Sequence, residues 1–564
     1  MNFNDIPLRI PNLKKIEEKA KLLSEEFLAA KTADEALKVV KKYFKYYDEI
    51  STQFIVISIR YSINTEDKKI KKASDYCDEI SPVIGNISNN FQRLLLKSKF
   101  RPELEAKLGK HLFDLYEVGD KIMDEKIIPE LIEENKLVTK YETLLASAKI
   151  PFGDEVLSLT QLGKYMVSKD RETRIKGAKA YWGFLEEHDA EIGEIYDKLV
   201  KLRTEIAHKL GFKSFTELGY LRMSRLDYNA EMVKGYREQI HEVVVPEAEK
   251  LIKRQLKRTH MKEALFVDLN LTFLSGNPTP KGDTAHLVKC AQKMYHEMDE
   301  TAGKFFDFMV ESNLLDLDAK HGKMGGGYMT YLPKYKAPFI FANSNGTAQD
   351  VDTLTHEVGH AFQGYLASSI KVPEYRTPTM EGAEIDSMSM EFFAYPWMES
   401  FFKEDTEKYI YEHLSGAILF LPYGVEVDEF QHFVYEHPEA THEERCAYWR
   451  ELDKKYRPWI KYGDFEYLEK GRYWVRQSHI FGSPFYYIDY TLAQVLALQF
   501  KCEMDKNREK AFKKYIKLLK MGGKYPFIEL ITRAHLNNPF VDGNVKKVIK
   551  PQIKVLKSID DSKL

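Results

Sequence analysis

Residues 351 to 366 read VDTLTHEVGHAFQGYL. On a helix, positions i and i+4 share a face one turn apart. His356 and His360 therefore aim at one spot, with Glu357 beside them, and this spacing suits a zinc ion. Of the His-Glu pairs beginning at His241, His296, His356 and His442, only the third has a second histidine four positions after its first. Gly359 sits inside the same segment, where glycine costs about 1 kcal/mol against alanine. A helix keeps such a residue when a neighbour packs closely against it.

Two histidines do not complete a protein zinc site. One zinc pattern supplies a third histidine six positions after the second, with a glycine at three. Here those positions hold Gln363 and Leu366. A glutamate from a following helix is the other solution. Glu374, Glu381, Glu384 and Glu391 are the candidates. TPTMEGAEIDSMSMEFFAYPW (377 to 397) reads as a helix opened by Thr377-Pro378 and stopped near Pro396. Spacing alone leaves Glu381 and Glu384 equally placed.

The rest of the 564 residues frames this motif. Hydrophobic residues make up 44% and charged residues 30%, with a formal net charge of -2. That balance is globular and gives no sign of a nucleic-acid or membrane-binding surface. Cys77, Cys290, Cys446 and Cys502 are scattered, without a CxxC pair. The N-terminus lacks an apolar signal core, and the most apolar stretch, 416 to 425, is too short to span a bilayer. The expectation is a cytoplasmic protein.

Most of the chain carries helical periodicity. Leu13, Ile16, Ala20, Leu23 and Phe27 form one stripe. Thr32 to Glu35 is a capping-box pattern that opens the next helix. Residues 146 to 166 read as a loop and short hairpin, and predict a boundary between a helical lobe (1–165) and a second unit (166–564). KMGGGYMTYL (323 to 332) leads to PFIFANS (338 to 344), which reads as a strand just ahead of the histidine helix. PFIFANS either binds a peptide as an added strand or is a buried core strand. The basic stretch 506 to 525 is an amphipathic helix with a solvated face, stopped by Gly522-Gly523. The fold class is mostly α, with a small strand region beside the metal motif and helices at about 350–366 and 378–395.

DVDTLTHEVGHAF, followed by GAEIDSMSMEFFAYP, resembles the oligoendopeptidase F and thimet oligopeptidase family of zinc peptidases. KMGGGYMTYL with PFIFANS, HIFGSPFYYIDY (479 to 490) and KLGFKSFTELGYLRMSRLDY (209 to 228) resemble it too. The likeness covers roughly residues 200 to 545. It implies two helical lobes flanking a deep channel that admits short unfolded peptides. It implies one Zn2+ per chain held by His356, His360 and Glu384. It places His479 and a tyrosine segment across the cleft. Gly482-Ser483-Pro484 alters the family's spacing there; Tyr487 and Tyr490 keep its three-residue separation and are favoured over Tyr486.

The expected activity is endopeptidase cleavage of short peptides. Glu357 serves as general base and then acid, while His479, Tyr487 and Tyr490 donate to the developing oxyanion. Glu391, Asp352 and Asp350 are candidates to hold the ligand histidines. A peptidyl-dipeptidase is the competing activity, and it needs a cation for the substrate carboxylate; Arg472 and Arg476 are the candidates. A peptide-binding protein without turnover is a third reading, opposed by the presence of Glu357. The chain is expected to act as a monomer or small homo-oligomer.

Overall fold

The computed structural model describes residues 1–320 and 322–564. It is mostly helical, at 72% of the chain. The first helices are α1 (Leu13–Leu28), α2 (Ala33–Ile63) and α3 (Lys68–Leu96). The predicted stripe is real, since Ile16, Leu23 and Phe27 are buried. Thr32 caps α2 by accepting the Glu35 N–H at 3.2 Å. The Glu35 carboxylate accepts from the Lys31 N–H at 2.7 Å, one residue before the cap, so only half of the capping box forms.

The expected hairpin pairs β1 (Ile150–Phe152) with β2 (Glu155–Leu157). The principal apolar core does not stop there. It takes Phe3, Val56 and Tyr141 from before the hairpin and runs to Leu556. A smaller core among the first helices incorporates Val372 and Tyr375. The Tyr375 hydroxyl also accepts the Leu112 N–H at 2.8 Å. The N-terminal helices thus grip the segment that leads into the second site helix.

A three-stranded sheet lies directly ahead of the histidine helix. Its strands are β3 (Leu315–Asp318), β4 (Tyr328–Leu332) and β5 (Ala337–Ser344), in the order β3-β5-β4. β5 pairs parallel with β3 and antiparallel with β4. PFIFANS is therefore the central strand, and residues 337 to 342 are buried. Both of its hydrogen-bonding edges are used, so it cannot accept a peptide strand. Of the two expectations, the buried core strand is correct. β4 stands at the sheet edge instead.

A short turn joins β5 to α4 (Gln349–Ala367), the helix that carries the motif. Asp350 fixes this turn by accepting from the Asn345 N–H at 2.9 Å and the Gly346 N–H at 2.7 Å. A loop then leads to α5 (Met380–Phe393). Behind it run α6 (Thr406–Glu436) and α7 (Tyr487–Met521), the second broken at Asn507 by extended backbone. The basic stretch belongs to the end of α7. Phe512, Tyr515 and Leu519 are buried, while Lys513, Lys517 and Lys520 are exposed.

Gly359 is where α4 and α5 touch. A β-carbon there would lie 2.6 Å from Ser387 Cα and 2.7 Å from the Asp386 carbonyl oxygen. The obstructing atoms are backbone, which cannot rotate away. The close neighbour that the sequence predicted is the second site helix. Gly359→Ala is expected to lose at least the 1–3 kcal/mol typical of overpacking (roughly), despite alanine's better helix propensity. Thermal and urea unfolding of the variant check this; an unchanged or raised midpoint would remove the contact from the account.

Candidate metal centre

α4 presents His356 and His360 on the face toward α5, and α5 presents Glu384 in return. Their rings lie 5.0 Å apart, nearly perpendicular. His356 Nε2 is 3.2 Å from Glu384 Oε2, and His360 Nε2 is 3.5 Å from the same oxygen. Donors about 2.0–2.2 Å from a tetrahedral ion stand about 3.3–3.6 Å from one another. The three donor atoms all fall within 4.8 Å of each other. Among the described residues this is the one cluster of three such side chains with metal-ligand spacing. The residues fit a zinc ion.

Spacing left Glu381 and Glu384 open; the fold brings only Glu384 to the histidines. Glu381 is buried elsewhere, where burial raises its pKa against the opposing charge of Arg225. Glu374 accepts from the Tyr116 hydroxyl at 2.8 Å.

Charge in the site is heavily structured. Burial pushes the Glu384 carboxyl up, but His360 and His356 outweigh it and hold its pKa well below the usual range. Burial pushes His356 down, yet Glu384 and Glu391 more than reverse that. The same concentration of negative charge favours a divalent cation. Glu384 Oε2 also accepts from the Ser387 hydroxyl at 3.0 Å, and the Tyr486 hydroxyl donates to Oε1.

A second layer orients the first. His356 Nδ1–H donates to Glu391 Oε1 at 2.7 Å. The other oxygen of Glu391 bonds His413 Nε2, also at 2.7 Å, and His413 Nδ1 bonds the Tyr395 hydroxyl at 2.7 Å. Of the three carboxylates the sequence offered for this task, Glu391 alone reaches a ligand histidine. Asp350 holds the turn before α4, and Asp352 accepts from the Tyr409 hydroxyl at 2.6 Å. His413 gave no sequence signal: it has no metal-motif spacing to any other histidine, and it lies 22 residues from the carboxylate it meets.

Glu357 is buried, with Oε2 unpartnered. Burial raises its pKa; the His356 and His360 charges oppose this, as does a hydrogen bond from the Met329 backbone. Gly327 makes room for it. A β-carbon at that position would stand 2.9 Å from Thr353 Cγ2 and 3.8 Å from Glu357 Oε1. The glycine-rich segment thus lets the edge strand β4 approach the carboxylate.

His479, Tyr486, Tyr487 and Tyr490 gather at the start of α7. The Tyr423 hydroxyl donates to Gln477 Oε1 at 2.7 Å, and Gln477 Nε2 donates to His479 Nδ1 at 2.7 Å. That leaves the ring hydrogen on Nε2, which faces the Tyr490 oxygen at 3.3 Å. Burial pushes the His479 pKa down to about 4, so the ring is neutral near pH 7. Tyr490 packs on Tyr486, with ring centres 4.7 Å apart. Tyr487 packs edge-on to His479 at 5.1 Å and toward Tyr423 and Phe420. Tyr486, which spacing placed behind the other two, is the tyrosine that touches a metal-ligand candidate. Gln477 and Tyr423 were not identified from sequence, because an amide two residues before a histidine is unremarkable without the fold.

Known proteins resemble the chain along its whole length. Residues 3–123 match the Peptidase M3 N-terminal domain, and residues 280–548 match Peptidase family M3. The chain is 46% identical to PZ peptidase A, solved with an inhibitor, over 100% of both chains at a TM-score of 0.98. It is 47% identical to a Bacillus anthracis protein provisionally described as oligoendopeptidase F, covering 100% of this chain and 99% of that one at a TM-score of 0.94. An oligoendopeptidase F homolog of Borreliella burgdorferi is 22% identical over 557 residues, 92% of this chain and 90% of its own length.

Two outcomes follow from these contacts. Glu391→Gln keeps the shape but removes the negative charge behind His356, and should weaken zinc binding roughly 10- to 100-fold, as measured by competition with a chromogenic chelator. The second concerns pH. The folded pKa of His479 lies below its unfolded value near 6.5, so protonation favours unfolding. Its contribution to stability is intact above about pH 6.5 and is lost as pH falls toward 4. His479→Gln should flatten the pH dependence of unfolding free energy in that window by up to about 1.4 kcal/mol per pH unit. Parallel slopes in urea titrations of the two proteins would contradict it.

Proposed function

The chain belongs to peptidase family M3, and from that premise we propose a zinc-dependent endopeptidase that hydrolyses internal bonds of short, unfolded peptides. Metallopeptidase chemistry of the oligoendopeptidase kind is what the family and the full-length relatives establish. The observation that carries the detailed reading is the near-tetrahedral spacing of His356, His360 and Glu384, with the buried Glu357 carboxylate on the same helix.

We assign the three ligand positions to one Zn2+ per chain. Bound there, the ion supplies Lewis-acid polarisation of the scissile carbonyl and activation of water near neutral pH. Glu357 takes a proton from the attacking water and returns it to the leaving amine. Its raised pKa suits both directions of transfer. Glu391 holds His356 in the tautomer whose Nε2 lone pair is free for the metal. His479 offers a neutral Nε2–H as oxyanion donor, with the Tyr490 and Tyr486 hydroxyls beside it. Tyr487 serves mainly to wedge His479 in place, given its packing against that ring.

The edge strand β4 offers backbone groups to an extended peptide alongside Glu357, which supports substrate binding with little sequence preference. We place the substrate in a channel between an N-terminal helical lobe, residues 1–165, and the remainder. No helix among the described residues is long and apolar enough to cross a membrane. We assign the enzyme to peptide turnover in the cytoplasm, as a monomer or small homo-oligomer.

Mass spectrometry of a mixed-length peptide library, with and without chelator, tests the reading. Internal cuts in short peptides, lost with chelator and fading in long chains, are expected. Glu357→Gln should lower kcat by about 100-fold or more while leaving zinc bound. Release of C-terminal dipeptides alone would replace the endopeptidase with a peptidyl-dipeptidase, and a Glu357→Gln enzyme as fast as wild type would end the proposed mechanism.

A further inference from the structure

Buried arginines in this protein come with carboxylates. Arg174, Arg203, Arg225, Arg237 and Arg457 each meet an Asp or Glu within 3.0 Å. This is the ordinary solution, because an unpaired charge removed from water costs several kcal/mol (roughly). Arg472 follows it, bonding Asp189 at 3.0 Å and pairing with Glu443. Arg472 is thus committed to structure and is not free for substrate.

Arg476, one turn later, is half-buried and has no acid, as is true of the half-buried Arg60 and Arg508, but unlike them it stands beside the His479 segment. Among the described residues no carboxylate pairs with it. Its surroundings are phenols: the guanidinium lies 4.7 Å from the centre of the Tyr473 ring, and Tyr181, Tyr423 and Tyr487 are its other close charged or polar neighbours. Arg476 lowers the Tyr181 pKa against the rise that burial causes. Tyr473 and Tyr423 already carry the Arg457 guanidinium, at 4.8 Å from each ring. Two guanidinium ions thus share these aromatics, but only Arg457 has its acids, Glu426 and Asp453. Arg476 is surrounded by desolvating protein yet remains only half-buried. It forms part of a wall that still opens to solvent.

That wall adjoins the reaction site. Gln477, the next residue, holds His479. Tyr487, a neighbour of Arg476, packs on the His479 ring. Tyr490 and Tyr486 continue the surface to Glu384. A peptide advances about 3.3–3.6 Å per residue, so a group two or three residues from the scissile bond falls within reach of a long side chain on such a wall.

We infer that Arg476 is a substrate-anchoring residue that binds a peptide carboxylate, completing the ion pair the fold leaves open. The planar fork of arginine matches a carboxylate, and the phenol hydroxyls add donors around it. The carboxylate is either the substrate's C-terminus or an acidic side chain. For an enzyme that cuts internal bonds, the anchor selects which bond of a short peptide reaches the metal. This rests on the peptidase reading above, and it deepens that reading by naming a specificity determinant.

The test uses the zinc-loaded full chain with matched peptides: free acid against C-terminal amide, and an internal Glu against Gln. Wild type should prefer one or both carboxylate forms about ten- to a hundredfold, chiefly in KM. Arg476→Met should lose that preference, read as the ratio within each matched pair, and Arg476→Lys should retain part of it. The comparison within each variant protects the result from general loss of fold or metal. Whichever pair shows the effect identifies the source of the carboxylate. Calorimetric binding of the same pairs to Glu357→Gln protein provides a readout without turnover. Absence of metal-dependent cleavage would fail the peptidase reading, while the binding preference would still decide the role of Arg476. Equal handling of acid and amide and of Glu and Gln by wild type, or an unchanged preference in Arg476→Met, would overturn it.

Discussion

The contact between α4 and α5 at Gly359 governs the metal site. His356 and His360 belong to one helix and Glu384 to the other, so the donor distances depend on how closely the two backbones approach. With no side chain at 359, the Asp386–Ser387 backbone lies against α4. Any larger residue would separate the helices and move Glu384 away from both imidazoles. The Tyr515 hydroxyl donates to the Asp386 carbonyl at 2.5 Å from the far side, so α7 holds α5 in this position. One glycine and one tyrosine thus set a geometry whose tolerance is a few tenths of an ångström (about).

Charge explains why the surroundings are so polar for a buried region. Glu384 is buried and Glu391 half-buried, both acids on one face of α5. Each is held ionised by histidines: His360 and His356 for the first, His356 and His413 for the second. His356 links the two carboxylates. The chain Glu384–His356–Glu391–His413–Tyr395 therefore spreads the charge across two helices and fixes the ring orientation at the same time. A buried network of this kind is rigid only when every member has its partner.

The opposite wall is built on a different logic. There the donors are neutral. Gln477 saturates the inner nitrogen of His479, and burial keeps the ring uncharged. The neutral Nε2–H still donates to an oxygen that gains negative charge. Facing a concentrated anionic cluster across the site, it also avoids the strong ion pair that a charged imidazole would form with Glu384. The tyrosines pack this arrangement tightly, which accounts for the aromatic density of the 479 to 490 stretch.

Local rules made much of the protein legible in its sequence. The i, i+4 histidines, the apolar stripe of α1, the cap at Thr32, the 150–157 hairpin and the strand before α4 all depend on neighbours within a few residues, and such information is written in order along the chain. Gly359 even announced that something must press against it. The tertiary structure decided what depends on residues far apart in sequence. It chose Glu384 over Glu381, because helix rotation in the packed pair determines which carboxylate faces the histidines. It put PFIFANS in the middle of the sheet, because β3 and β4 take both its edges. It gave Glu391 to His356, Tyr486 to Glu384 and Gln477 to His479, and it left Arg476 without an acid. Each of these follows from packing between segments, where distance in space bears no fixed relation to distance along the chain.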